Sequence, residues 1–373
     1  MKNNLHILLL CENDSDLLEQ KQTGLFAIDL VKKGFDVSIL VNNHSEVSQL
    51  ESIYEKIKIY YTKPMKWYQE YTTNFYEYNL KQVLKKDNSI DIVQVMSTNY
   101  KNSYIAKACN KLDIPCLARV FHKSIREYRE LNAYHQNKLR KNLQQFTKLV
   151  VNAEYLISLG KQYDLHNLTL IYDGIYTNSL KGCFNKTPIR KKLNLPERTT
   201  LITCPASISR INNQFETIKK LMPLGPTKQL VFLGDIEDRT YFENLKRELE
   251  FLKVKDYVHF IGQPDSYTNY LKASDLLVLL GGIEDRIETI VQAEALGVPV
   301  ILGESPSSLF LTNANRCGVV LYDENILVEQ ALDRLVNDSV YRQSRAVNAR
   351  EFALELFPRD KMIEDYSKLY SSL

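Results

Sequence analysis

The chain has little that would tie it to a membrane, a metal or a nucleic acid. No apolar run in its 373 residues approaches the ~20 consecutive residues that a bilayer span needs. The first apolar stretch, Leu5–Cys11, is too short for a secretory leader, and the acids Glu12, Asp14 and Asp16 follow it. A cytoplasmic protein is therefore expected. The six cysteines, at 11, 109, 116, 183, 204 and 317, are scattered without a C-x-x-C pair. That spacing argues against a disulfide framework and a structural zinc site, and predicts buried free thiols. The formal net charge is only +3, with lysines and arginines spread among nearly as many acids. Nucleic-acid binding usually needs a concentrated basic stripe, and none is present.

What is there is the pattern of a soluble α/β protein. The length suits two domains rather than one core. In the first half, short buried strands (Leu5–Cys11, Phe35–Val41, Ile90–Met96, Pro115–Phe121, Leu168–Tyr172) alternate with amphipathic helices such as Gly24–Lys33. A second alternating run begins near Thr200 and includes strands at Gln229–Leu233, Val258–Ile261, Leu276–Leu280 and Pro299–Leu302. Alternation of this kind predicts parallel sheets covered by helices on both faces. The expected division is a Rossmann-like domain over 1–177, a polar linker over 178–198 and a second such domain over 199–350. A C-terminal helix over 351–373 packs back on the first domain. Two doubly wound domains of this kind face one another across a cleft, with ligands at the carboxyl ends of the strands.

The most informative stretch is residues 284–300. Glu284 follows an apolar run ending in two glycines, Gln292 comes eight residues later, and a Gly-x-Pro-Val turn leads into another apolar stretch. A helix starting near Glu288 brings Gln292 round toward its own approach loop. Such a unit can hold a polyhydroxylated, phosphorylated ligand, with a carboxylate for hydroxyls and helix N–H groups for phosphate. It can equally be an ordinary strand–loop–helix–strand unit with solvated polar residues, and spacing alone leaves both open. The Tyr60–Tyr78 stretch, rich in aromatics and holding Lys63, Lys66 and Trp67, reads as a partly buried helix face. A membrane-surface contact is its second reading.

Several motifs together resemble GT-B glycosyltransferases of retaining family 4, the glycosyl transferases group 1. In the first half these are Lys33-Gly34-Phe35-Asp36-Val37, Asp91 through Met96 (with both of the family's histidines replaced), Ile114-Pro115 through Phe121-His122, and Ile171-Tyr172-Asp173-Gly174-Ile175. In the second half they are Phe260-Ile261-Gly262, Ala273-Ser274-Asp275-Leu276 and the stretch ending Pro299-Val300-Ile301. The family's Glu-x7-Glu donor motif falls without gaps on Glu284 and Gln292, so the second carboxylate is an amide. A one-residue gap would place Glu294 there instead and break the spacing to Glu284.

The resemblance implies a retaining, metal-independent transfer of a sugar from a nucleotide-diphosphate donor, with UDP-sugars foremost. The acceptor would be a surface glycan, a lipid-linked glycan or a protein-linked one. It implies Glu284 and His122 as the catalytic pair. Gly24, Ser207, Arg210, Asn212, Gly234, Gly262, Ile287, Glu288, Thr289 and Gln292 would line the donor site. Gly24 would stand where a loop opens the first helix, and the backbone N–H groups of Arg286–Thr289 would cradle the diphosphate. In one respect the chain departs from the pattern. The Arg and Lys that usually hold the diphosphate fall on Ser207 and Asn212, leaving Arg210 as the nearby cation. A catalytically impaired accessory subunit that binds nucleotide or a partner transferase is the alternative this departure keeps open. An epimerase of the same fold is a further one, but its constellation of His and acids is not found.

Overall fold

A computed structural model describes residues 4–10, 17–41, 57–63, 75–96, 103–122, 132–180, 187–195, 199–224, 227–322 and 326–373. The chain divides into two units, Met1–Tyr172 with Met362–Leu373, and Asp173–Lys361.

The first unit is built on a 7-stranded, all-parallel sheet. Its strands are β1 (His6–Leu10), β2 (Asp36–Val41), β3 (Lys58–Tyr61), β4 (Ile92–Val95), β5 (Cys116–Val120), β6 (Lys148–Val151) and β7 (Leu168–Leu170). They run in the order β3-β2-β1-β4-β5-β6-β7. β1, the run His-Ile-Leu-Leu-Leu, is buried along its whole length, as a central parallel strand covered on both faces must be. β3 was not legible as a strand. It is an edge strand with a half-exposed Lys-Ile-Tyr-Tyr pattern, so it carries neither a continuous apolar run nor a clean alternation.

The last helix, Arg359–Ser371, adds Met362, Ile363, Tyr366, Leu369 and Tyr370 to this unit's core. Tyr366 meets Phe26 edge-on at 4.9 Å, and Tyr370 meets Phe35 at 5.6 Å. The Tyr370 hydroxyl donates to Oε1 of the fully buried Gln94 on β4. Gln94, which stands where the family pattern has a histidine, is thereby a core hydrogen-bonding group. Of the aromatic stretch at 60–78, residues 64–74 lie outside the described residues.

The second unit has a 6-stranded, all-parallel sheet in the order β10-β9-β8-β11-β12-β13. The strands are β8 (Thr200–Cys204), β9 (Lys228–Leu233), β10 (Val258–Gly262), β11 (Leu276–Leu279), β12 (Val300–Gly303) and β13 (Gly318–Leu321). Strand order reverses between β8 and β11, the point where α/β sheets open a crevice at their carboxyl edge. Two of this unit's helices start on a capping aspartate. Asp238 accepts from the Tyr241 N–H at 2.8 Å, and Asp338 accepts from those of Val340 and Tyr341.

Two expectations are corrected here. Residues 178–198 are not a free-standing linker, because they fall within the second unit. Thr187–Lys192 is a helix, and Ile189, Leu193 and Leu195 pack on the core around Leu201, Val231 and Tyr270. Arg190 fastens the segment by donating to the carbonyls of Thr199 and Ala273 and to Asp275, the last at 3.1 Å. Likewise, 351–361 stay with the second unit. The helix Ser339–Leu356 stops before Pro358, which cannot continue its hydrogen bonding. The freed backbone pairs with Ile175, whose N–H donates to Phe357 at 2.8 Å and whose carbonyl accepts from Arg359 at 2.9 Å.

Candidate functional site

Most of the predicted residues gather at the carboxyl edge of the second sheet. The chain leaves β8 through Pro205–Ser209, makes a 3-10 turn at Arg210–Asn212 and enters the helix Gln214–Leu221. It leaves β11 through Leu280–Ile283, makes another 3-10 turn at Glu284–Arg286 and enters the helix Ile287–Ala295. These two loops flank the reversal point and pack on each other. A Cβ on Gly281 would overlap the Ile211 carbonyl oxygen, and one on Gly282 would overlap the Asn212 amide. Glycine is needed at Gly281 because the two backbones touch, and at Gly282 because its φ of 63° lies in the left-handed region. Gly234, at the end of β9, is under the same constraint, since a Cβ there would come within 2.6 Å of the Ser207 nitrogen. Its N–H donates to the Gly262 carbonyl at 2.9 Å, which ties the ends of β9 and β10 together.

Asn212 is buried, and its amide Nδ2 donates inward to the Ser207 carbonyl (2.8 Å), to Ser207 Oγ (3.1 Å) and to Ser209 Oγ (3.1 Å). Gln214 adds a donation to the same carbonyl at 2.7 Å. The two positions where the family pattern has cations thus form a neutral, self-satisfied turn. Arg210 is 71% exposed and faces outward, its Nε 3.4 Å from Asp238 Oδ2.

Glu284 is half-buried, and its Oε1 accepts from the Ser307 N–H at 3.4 Å, at the loop that follows β12. Ser307 Oγ is buried with no partner among the described residues. On the next helix, Ile287 points its side chain into the core, so only its backbone can serve a ligand. Glu288 and Gln292 stand one turn apart, with Gln292 Nε2 donating to Glu288 Oε1 at 3.0 Å, and the half-buried Thr289 lies between them in sequence. Glu294 is fully buried with neither carboxyl oxygen partnered among the described residues, and burial pushes its pKa well above the ordinary carboxylate range. It faces the core, which favours the ungapped reading with Gln292 at the second motif position.

One residue at this edge was overlooked in the sequence. Arg286, considered there only for its backbone, donates through Nε to the Pro205 carbonyl at 2.9 Å and through Nη1 to the Gly282 carbonyl at 3.4 Å. Its guanidinium bridges the exits of β8 and β11. Its positive field reaches two neighbours. The Cys204 thiol is pushed up to about 12 by burial, against which Arg286 pulls. The Tyr267 phenol is raised by burial and then by Asp235, again with Arg286 opposing. A cation directly after two acids, in a loop that follows two glycines, was the available signal.

The remaining predicted residues belong to the first unit. His122 follows β5 and is half-buried, with Nδ1 2.7 Å from the Tyr155 hydroxyl. Gly24 is not in a loop. It lies buried inside the helix Leu17–Lys33, because Leu17 through Thr23 are mostly good helix formers and carry the helix back nearly two turns. Among the described residues no group of three or more His, Cys, Asp or Glu could hold a metal ion, and no helix is long and apolar enough to cross a membrane.

Two all-parallel doubly wound sheets, with two glycine-bearing loops packed together at the reversal point of the second, define a two-domain α/β protein of the GT-B fold. The crystal structure of Anabaena HepE in complex with UDP and glucose superposes with a TM-score of 0.77, covering 99% of this chain and 100% of that one at 16% identity. Residues 185–352, within the second unit, match the family model of glycosyl transferases group 1. In sequence, the chain is 24% identical over 191 residues to N-acetyl-alpha-D-glucosaminyl L-malate synthase of Bacillus anthracis, covering 49% of this chain and 48% of that protein. It is 27% identical over 160 residues to the lipopolysaccharide core biosynthesis glycosyltransferase LpsE of Rhizobium meliloti, covering 42% of this chain and 46% of that protein. The chain thus spans about half the length of the curated relatives it matches.

Proposed function

We propose that the protein is a retaining glycosyltransferase that moves a sugar from a nucleotide-diphosphate donor, with a UDP-sugar as the foremost candidate. The observation that carries this reading is the pair of loops at the exits of β8 and β11, where strand order reverses and Glu284 stands before the amino end of the helix Ile287–Ala295. Helix N–H groups and the dipole favour phosphate there, and Glu284 offers an acceptor for sugar hydroxyls. The family match over the same residues supports the activity, and the UDP bound to HepE supports the nucleotide.

In the transfer, the bond between the anomeric carbon and the donor's phosphate oxygen breaks, and its electron pair leaves with the nucleoside diphosphate. The acceptor hydroxyl oxygen bonds to the same carbon on the same face, and its proton passes to the departing phosphate oxygen. Negative charge grows on the leaving group, so fixed donors and cations aimed at it lower the barrier most. The reading needs no metal if those groups carry the charge. His122 keeps the catalytic role that the resemblance gives it, and its Nδ1 lies 2.7 Å from the Tyr155 hydroxyl. The acceptor is read as a surface glycan, lipid-linked or protein-linked, at the cytoplasmic side of the membrane.

A second reading is favoured by one observation, the neutral turn at Ser207 and Asn212. A catalytically impaired subunit could bind nucleotide with such a turn and transfer nothing. Binding and turnover of UDP-, GDP- and ADP-sugars separate the two, compared between wild type and Glu284→Ala. Turnover lost in the variant supports the transferase. Binding without turnover in wild type supports a nucleotide-binding accessory subunit, and no binding at all refutes the transferase and leaves only a subunit that binds a partner transferase.

A further inference from the structure

We propose that Arg286 supplies the cation for the donor's diphosphate, in place of the pair that Ser207 and Asn212 do not provide. The inference rests on reading the second unit as a nucleotide-sugar site and adds to it the group that meets the phosphates. Three side chains near the strand exits could meet a phosphate, and geometry separates them. Asn212 has both amide hydrogens committed within its own turn. Arg210 lies on the outer surface against Asp238. Arg286 alone of these is at the crevice and part-buried.

The bonding of Arg286 leaves it available. A guanidinium has five N–H donors in a fixed fork, and the carbonyls of Pro205 and Gly282 occupy two. Those carbonyls set its direction without cancelling its charge. Among the described residues no carboxylate lies within 4.0 Å of it, whereas Arg190 and Arg210 in the same unit each have one, Asp275 and Asp238. A part-buried cation without a counter-charge is costly and gains most from an incoming anion. Arg286 is also the residue that immediately precedes the helix Ile287–Ala295, so its charge and the positive end of the helix add at one place. The planar fork can contact two phosphate oxygens, which a lysine cannot imitate.

The test uses calorimetric binding to the full chain of UDP, GDP and ADP, and of the matching free nucleosides, for wild type, Arg286→Gln and Arg286→Lys. The nucleoside diphosphate that binds wild type most tightly serves as the probe. Arg286→Gln is expected to weaken it by about 10- to 100-fold, the worth of a charge-assisted hydrogen bond, and to leave the free nucleoside unchanged. Arg286→Lys is expected to recover part of that loss and to keep more of the salt dependence. A role confined to holding the two loops predicts a different pattern. Diphosphate and nucleoside would weaken together, and Lys would be no better than Gln, because neither remakes the carbonyl bridge. That pattern, or an unchanged diphosphate affinity in Arg286→Gln, overturns the proposal while leaving the donor site standing. If wild type binds none of the three diphosphates, the donor-site reading itself fails, and this assignment fails with it.

Discussion

Replacing Glu294 with methionine should stabilise the second unit, and more so as pH rises. Glu294 lies in the helix Ile287–Ala295 with no exposure and with neither carboxyl oxygen partnered among the described residues. Burying a polar group without a hydrogen bond costs about 1–3 kcal/mol on protein mutational scales, and methionine fills a similar length with apolar atoms. A second contribution follows from burial raising the folded-state pKa. Above the ordinary carboxylate range the unfolded chain releases this proton and the folded chain keeps it. Stability is therefore lost with rising pH, by at most ~1.4 kcal/mol per pH unit, until the folded group also ionises. At the low end of that window the gain for Glu294→Met is about 1–3 kcal/mol, which for a domain of this size is ~2–4 °C in Tm per kcal/mol. Calorimetric unfolding of both proteins from pH 5 to pH 8 measures the difference. A variant no more stable than wild type at any pH, or a difference that does not widen with pH, would mean that the carboxyl has a partner and would refute the argument.

Gly281→Ala should disturb the crevice, because the added methyl meets the Ile211 carbonyl. Overpacking of this kind costs ~1–3 kcal/mol, and weakened nucleotide binding together with a lowered Tm is the expected readout. Arg210→Ala should change UDP affinity less than threefold and leave Tm nearly unmoved, since the side chain is largely exposed and paired with Asp238. Cys204 and Cys317, whose thiols burial pushes up to about 12, should resist a thiol reagent at pH 8 in the native protein and react once it is unfolded.

The sheets were legible because buried parallel strands are written as short apolar runs, as in Leu276–Leu279 and Val300–Gly303. The edge strand β3 was not, since half-exposure removes that signature. At the site, the loop spacing brought out Glu284 and the start of the following helix to within a residue or two. Arg286 stayed hidden because its importance comes from two carbonyls, Pro205 some eighty residues earlier and Gly282 in its own loop. No local pattern encodes such a bridge. Gly24 shows the opposite error. A glycine at the head of an amphipathic run reads as a helix start, yet the flanking residues favour helix strongly enough to absorb it, at a cost of ~1 kcal/mol. Residues 178–198 misled for a related reason. Their polar surface suggested a tether, while three apolar side chains, Ile189, Leu193 and Leu195, were enough to dock them.

The last helix has a consequence for how the protein is made. The core of the first unit contains Met362, Ile363, Tyr366, Leu369 and Tyr370, so it lacks five of its side chains until that helix has been synthesised. At ~5–20 residues per second, the stretch from Tyr172 to Met362 takes ~10–40 s to synthesise. During that interval Phe26 and Phe35 await their ring partners, and Gln94 awaits the hydroxyl that satisfies it. The half made first is thus the half finished last, and a nascent chain stalled before Met362 would present an open apolar face to chaperones.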